Sequence, residues 1–150
     1  MATVQNNAAT AIATPLTFSI DNPSPEVLYI RDYKATAKIC SQAMAKFDVL
    51  AGDLPTAAGR ADARARSMQA DQELQLVREL HDAVVDGNMA IQPPTEAQVA
   101  ITLKLADDLS KISAEEARFS AIVDIFVKAG TAFNAIHGKQ LPKKPAAVTA

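Results

Sequence analysis

The sequence predicts an all-α protein, an antiparallel four-helix bundle with disordered arms at both ends. Apolar residues recur at spacings of three and four over long stretches, which is the period of a buried helix face. Alanine, the strongest helix former, supplies 30 of the 150 residues, whereas aromatic residues make up only 5%. The predicted domains are a disordered arm over 1–22, a helical domain over 23–138 and a disordered tail over 139–150.

The first helix is predicted over 25–51, because its start and stop are both marked. Ser24 can cap it, and Pro25 suits the first helical position, where its missing N–H costs nothing. Gly52 and Pro55 mark its end. Apolar residues in alternating spacings of three and four form a coiled-coil-like seam. This seam consists of Ile30, Tyr33, Ala37, Cys40, Met44, Phe47 and Ala51.

The second helix is predicted over 60–86, after a loop from Gly52 to Gly59. Gly87 follows the last apolar position and marks the end of the helix. The apolar side includes Ala70, Leu74, Val77, Leu80 and Val84.

The third helix is predicted over 96–112, since Thr95 and Gln98 form a capping box at its start. Its predicted buried side consists of Val99, Thr102, Leu103, Ala106, Leu109 and Ile112. A second capping box, Ser113 with Glu116, predicts a fourth helix over 114–136. Its seam consists of Phe119, Ile122, Phe126, Ala129, Phe133 and Ile136. Because the connection is short, the third and fourth helices could instead form one kinked rod.

Charge excludes several classes of partner. The formal net charge is −2, and the only clusters of basic residues that we note lie at the ends of elements. We therefore expect no nucleic-acid binding. The longest apolar stretch, from Phe119 to Val127, contains Asp124 and is too short to span a membrane, so we predict a cytoplasmic protein. The basic clusters are Arg60, Arg64 and Arg66, and Lys139, Lys143 and Lys144.

No pattern in the sequence specifies an enzyme, a cofactor or a metal. A di-iron bundle needs Glu-x-x-His motifs, and neither His81 nor His137 has a glutamate three residues before it. Cys40 lies within the first seam and is predicted to be a buried, unreactive thiol. We therefore predict no catalytic, cofactor-binding or metal-binding residues. The alternative is a small helical enzyme or metal-binding bundle that uses His81 with Glu73 and Glu79.

The first twenty residues contain no charged side chain and are rich in Ala, Thr and Asn. In composition they resemble the leaders of bacterial type III secretion substrates, although ordinary disordered termini share this composition. The resemblance implies a secreted effector or a secretion-apparatus protein, exported without cleavage of a signal peptide.

The leading functional prediction is a non-enzymatic protein–protein interaction module, an adaptor, chaperone or assembly component of a bacterium or phage. We expect self-association because the apolar arc of the fourth helix covers about 200°, about twice what one buried face needs. The predicted partner-binding residues are Ile122, Val123, Ile125 and Val127.

Overall fold

The structure, a computed structural model, describes residues 22–138 and confirms the all-α bundle. Within these residues, one 3₁₀ turn, Glu116–Arg118, precedes the fourth helix. The helices are α1 (Pro25–Asp53), α2 (Ala57–Val85), α3 (Glu96–Lys111) and α4 (Phe119–His137). The predicted arm, except Asn22, and the predicted tail lie outside the described residues.

Contacts between side chains show that neighbouring segments run up, down, up and down. Tyr29 of α1 contacts His81 of α2, whereas Asp48 near the other end of α1 accepts a hydrogen bond from Ser67. These two pairs make α1 and α2 antiparallel. Residues 32 and 46 of α1 contact residues 102 and 112 in the same order, so α3 runs parallel to α1.

The chain after α3 turns back, so α3 and α4 form a hairpin and not a kinked rod. Helix α4 runs antiparallel to α1, since Phe126 packs on Phe47 and His137 lies beside Asp32. Helix α1 packs against all three other helices, whereas α2 and α4 touch only slightly. Helix α1 is therefore the centre of the bundle, and α2 is held mainly by its packing on α1.

The helix starts follow the predicted caps at two of the three helices for which a cap is predicted. The Ser24 hydroxyl accepts a hydrogen bond from the Val27 N–H, and Thr95 and Gln98 form the full capping box. The predicted cap at Ser113 is wrong. Lys46 donates a hydrogen bond to the carbonyl of Ile112, which itself packs on the core, so the chain stays extended there and helix geometry begins only at Glu116.

The predicted loop from Gly52 to Gly59 is also wrong, because only three residues separate α1 from α2. Pro55 restricts the residue before it to extended geometry, and Leu54 accordingly has φ −64° and ψ 143°. Thr56 then caps α2 by accepting a hydrogen bond from the N–H of Gly59. Gly87, at φ +76°, follows the end of α2 as predicted.

The buried face of α1 is broader than the predicted seam and turned away from it, because α1 has three neighbours. Tyr29 and Asp32 are buried where Ile30 was expected, and Ile30 is exposed. In α3, Leu105 is buried and Leu103 is 47% exposed, since these positions differ by about 200° on a helix. Phe47, Leu109 and Ile122 lie at the centre of the main core.

Candidate functional site

A cluster of polar side chains is buried where α1, α3 and α4 meet. Asp32, Thr102 and His137 each expose 2% or less of their surface. The Thr102 hydroxyl donates a hydrogen bond to Asp32 Oδ1 at 2.9 Å, and Asp32 Oδ2 lies 3.9 Å from His137 Nε2. Each of the three helices thus contributes one polar side chain to this cluster.

Burial dominates the electrostatics of Asp32. Loss of water raises the pKa of its carboxyl group, and the hydrogen bond from Thr102 lowers that pKa by a smaller amount. Oδ2 has no hydrogen-bond partner among the described residues. The protonated carboxylic acid is therefore favoured more strongly here than in water.

A second polar contact joins α1 to α2 beside this cluster. Tyr29 Oη lies 3.1 Å from His81 Nδ1, and the Tyr33 ring stacks on the His81 ring with centroids 3.9 Å apart. Burial, together with Tyr33 and Asp32, raises the pKa of Tyr29, so its hydroxyl keeps its proton. Which of the two groups donates the hydrogen bond depends on the tautomer of His81. His81 is half-buried and has a side-chain partner at the edge of the apolar face of α2.

The structure does not bring together the residues of the alternative enzyme site. Glu73 and His81 are eight residues apart on one continuous helix, about 12 Å along its axis, and Glu79 is exposed. Glu73 instead lies near Cys40. Burial and this carboxylate raise the pKa of the Cys40 thiol to about 12, which confirms that the thiol is buried, and its low reactivity stays a prediction. Within residues 22–138, no group of three His, Cys, Asp or Glu could hold a metal ion.

The predicted partner-binding residues divide between the core and the surface. Ile122 and Ile125 are buried in the bundle, and Val123 is half-buried against the core. Val127 is 48% exposed, so it is the most accessible of the four. The stretch Glu116–His137, with a mean hydropathy of 1.4, is long and apolar enough to cross a membrane. The prediction of partner binding on α4 stays a prediction.

A groove with a cationic edge lies between α1 and α3, and the sequence analysis missed it. Its volume is about 350 Å³, and Ala35 and Ala106 contribute apolar surface to it. The prediction that the basic clusters lie only at the ends of elements is wrong, because three cations follow one edge of this groove. They are Arg31, Lys34 and Lys38 of α1. Their spacing of three and seven residues was visible in the sequence.

Comparison with protein-family models, with curated proteins and with solved structures finds no match for this chain.

Proposed function

We propose that this protein is a non-enzymatic helical interaction module, an adaptor, chaperone or assembly component, that self-associates through one flank of α4. The observation that carries the proposal is the exposure of Val127 within an uncharged strip. At 100° per residue, five positions of α4 lie within an arc of about 80° around the helix. This α4 flank consists of Ser120, Val123, Val127, Thr131 and Asn134.

The α4 flank suits contact with its own copy. In a twofold dimer the same residues face each other, so a charged surface would bring like charges together, whereas this strip has none. The helix's two permanently charged residues, Asp124 and Lys128, lie beside the strip and pair with each other at 2.9 Å. The Thr131 hydroxyl donates to the carbonyl of Val127 within its own helix, so a partner need not satisfy it.

The proposal treats α4 as a core helix in water and not as a membrane span. Its inner side packs Ile122, Phe126 and Phe133 within the bundle. A membrane would also have to accommodate Asp124 and Lys128, and each charge near the centre of a spanning helix costs about 2.5–3.5 kcal/mol. A non-enzymatic role is supported by the closure of the Asp32 cluster, which a substrate could reach only if the helices separated.

Light scattering and sedimentation of the full chain test the proposal. At about 0.5 M salt, where contacts between exposed charges are screened, we expect a concentration-dependent dimer for the wild type and a monomer for Val127→Lys, with unchanged helicity and melting. Val49→Lys is a matched control, because Val49 lies on α1 with the same 48% exposure and the added charge is identical. A wild type that stays monomeric at high micromolar concentration contradicts the proposal, and so does equal behaviour of the two variants.

A further inference from the structure

The cations along the α1–α3 groove form a basic stripe, defined as Arg31, Lys34 and Lys38. All three are exposed, and none of them forms an ion pair within residues 22–138. Between residues 27 and 47 the only acidic residue is Asp32, which is buried. Positive charge on this part of α1 is therefore not neutralised by the helix itself.

The last turns of helix α2 and its C-cap residue carry an acidic stripe with the same spacing, defined as Glu79, Asp82 and Asp86. These carboxylates are exposed, and in the described part of the chain they too have no ion-pair partner. Asp86 follows the buried Val77 by nine residues, which places it on the opposite side of the helix. Each stripe spans seven residues, or about 10 Å along its helix.

The two stripes of one chain do not pair with each other. They lie at the same end of the bundle, because Tyr29 and Tyr33 of α1 contact His81 of α2. However, the basic stripe borders α3, whereas the acidic stripe lies on the side of α2 that is turned away from the core. Complementary charges thus sit on different outer faces of the same molecule.

We infer that a second copy of this chain docks its acidic stripe on the basic stripe, with its α2 lying along the α1–α3 groove. Matching spacings place three carboxylates opposite three cations, in the manner of a helix bound in a groove. The exposed Leu103 beside the groove and the exposed Val85 beside the acidic stripe add apolar contact. Because the two surfaces differ, this contact is heterologous and produces a ring or a filament.

The residues beside the two stripes are also opposite in charge. Asp107 is the one acid that lines the groove, and Arg78 directly precedes the acidic stripe in the sequence. The chain's own termini are poorer occupants of the groove. Residues 1–20 contain no charged side chain, and residues 139–150 contain three lysines and no acidic side chain.

Charge exchange tests this inference, which rests on the proposed self-association but not on the α4 flank. One variant reverses the basic stripe with Arg31→Glu, Lys34→Glu and Lys38→Glu. A second reverses the acidic stripe with Glu79→Lys, Asp82→Lys and Asp86→Lys. A third combines all six changes, which cancel each other in net charge. All are made in the Val127→Lys background so that the α4 flank does not contribute.

We expect the background protein to associate at low salt and to dissociate at about 0.5 M salt, since exposed charges are screened there. Reversal of either stripe alone should weaken association about tenfold or more, because like charges then face each other. A 1:1 mixture of the two reversed variants should associate again, and so should the variant that combines all six changes. Circular dichroism checks that every variant keeps its helices.

Two results overturn the inference. One is a background protein that is monomeric at low salt and high micromolar concentration, whether or not an acidic peptide or an anionic lipid vesicle binds it. The other is a folded variant with all six changes that associates no better than the two variants with one reversed stripe. Loss of association on Val127→Lys alone, without sensitivity to salt, would instead support the α4 flank and contradict the charged contact.

Discussion

Replacing Asp32 by asparagine removes a buried charge while preserving the shape of the side chain. The amide oxygen can still accept the hydrogen bond from Thr102, which joins Asp32 Oδ1 at 2.9 Å. The amide nitrogen takes the place of Oδ2, which faces His137 Nε2 at 3.9 Å. The substitution therefore tests the charge of Asp32 separately from its packing.

Few groups compensate the negative charge of the buried Asp32 carboxylate, and this sets the expected change in the free energy of unfolding. Only 2% of its side chain is exposed, one oxygen accepts one hydrogen bond, and the other has no hydrogen-bond partner among the described residues. A buried ion without full compensation is costly, and replacement of buried charges by neutral groups is often stabilising. We expect Asp32→Asn to raise the free energy of unfolding by about 1–3 kcal/mol at pH 8.

The effect should depend on pH in a defined direction. Burial raises the pKa of Asp32 in the folded state, whereas in the unfolded chain an aspartate titrates at about 3.9. The stabilising contribution of Asp32 to the free energy of unfolding is therefore fully present below about pH 4, and it is lost as the pH rises through the pKa of the folded state. Asparagine does not titrate, so its advantage should grow with pH by at most about 1.4 kcal/mol per unit.

Urea titrations of both proteins between pH 4 and pH 8 measure this difference. Asp124→Asn is a suitable control, because Asp124 is exposed and should change stability by no more than about 0.5 kcal/mol. An Asp32→Asn variant that is 3–5 kcal/mol less stable at pH 8 would refute the reasoning. That loss is the cost of breaking a buried ion pair, and it would show that Asp32 is ionised and held by a protonated His137.

Phe47→Ala and Phe126→Ala should each cost about 3–5 kcal/mol of unfolding free energy, since the two buried rings pack on each other. In urea titrations a loss below about 1 kcal/mol would contradict the packing of α1 on α4, and Val49→Ala should change little. Cys40, with its pKa raised to about 12, should react with a disulfide reagent only as the protein unfolds. Rapid labelling at pH 8 of protein that stays folded would show that this thiol is accessible.

The sequence predicted the parts of the fold that depend on local backbone chemistry. Ser24 and the Thr95–Gln98 box mark helix starts because their side chains satisfy N–H groups that lie two or three residues away. Ser113 has the same local pattern but does not cap. There the tertiary contact of Lys46 with the carbonyl of Ile112 keeps the chain extended, and no local pattern could reveal that contact.

The candidate sites were predictable to different degrees. The position of His81 at the edge of an apolar face followed from the helical period alone. Asp32 and His137 were missed, because 105 residues separate them and only the antiparallel packing of α4 on α1 brings them together. The basic stripe was missed for another reason. Its spacing was visible, but only the position of α3 turns one edge of α1 into a groove.

The buried polar cluster provides a physical reason for the alignment of the helices. Seams of apolar residues that repeat every three or four positions could pack in several registers with similar burial. The two ends of α1 differ in this respect. Around Phe47 the contacts with α4 are aromatic and tolerate repacking, whereas Asp32 has polar neighbours only when Thr102 and His137 are level with it. A shift of either helix by one turn would leave a buried polar group without its neighbour, at a cost of about 1–3 kcal/mol or more. We infer that Asp32 lowers the stability of the bundle at neutral pH while excluding its competing registers, a role known for single buried polar residues in coiled coils.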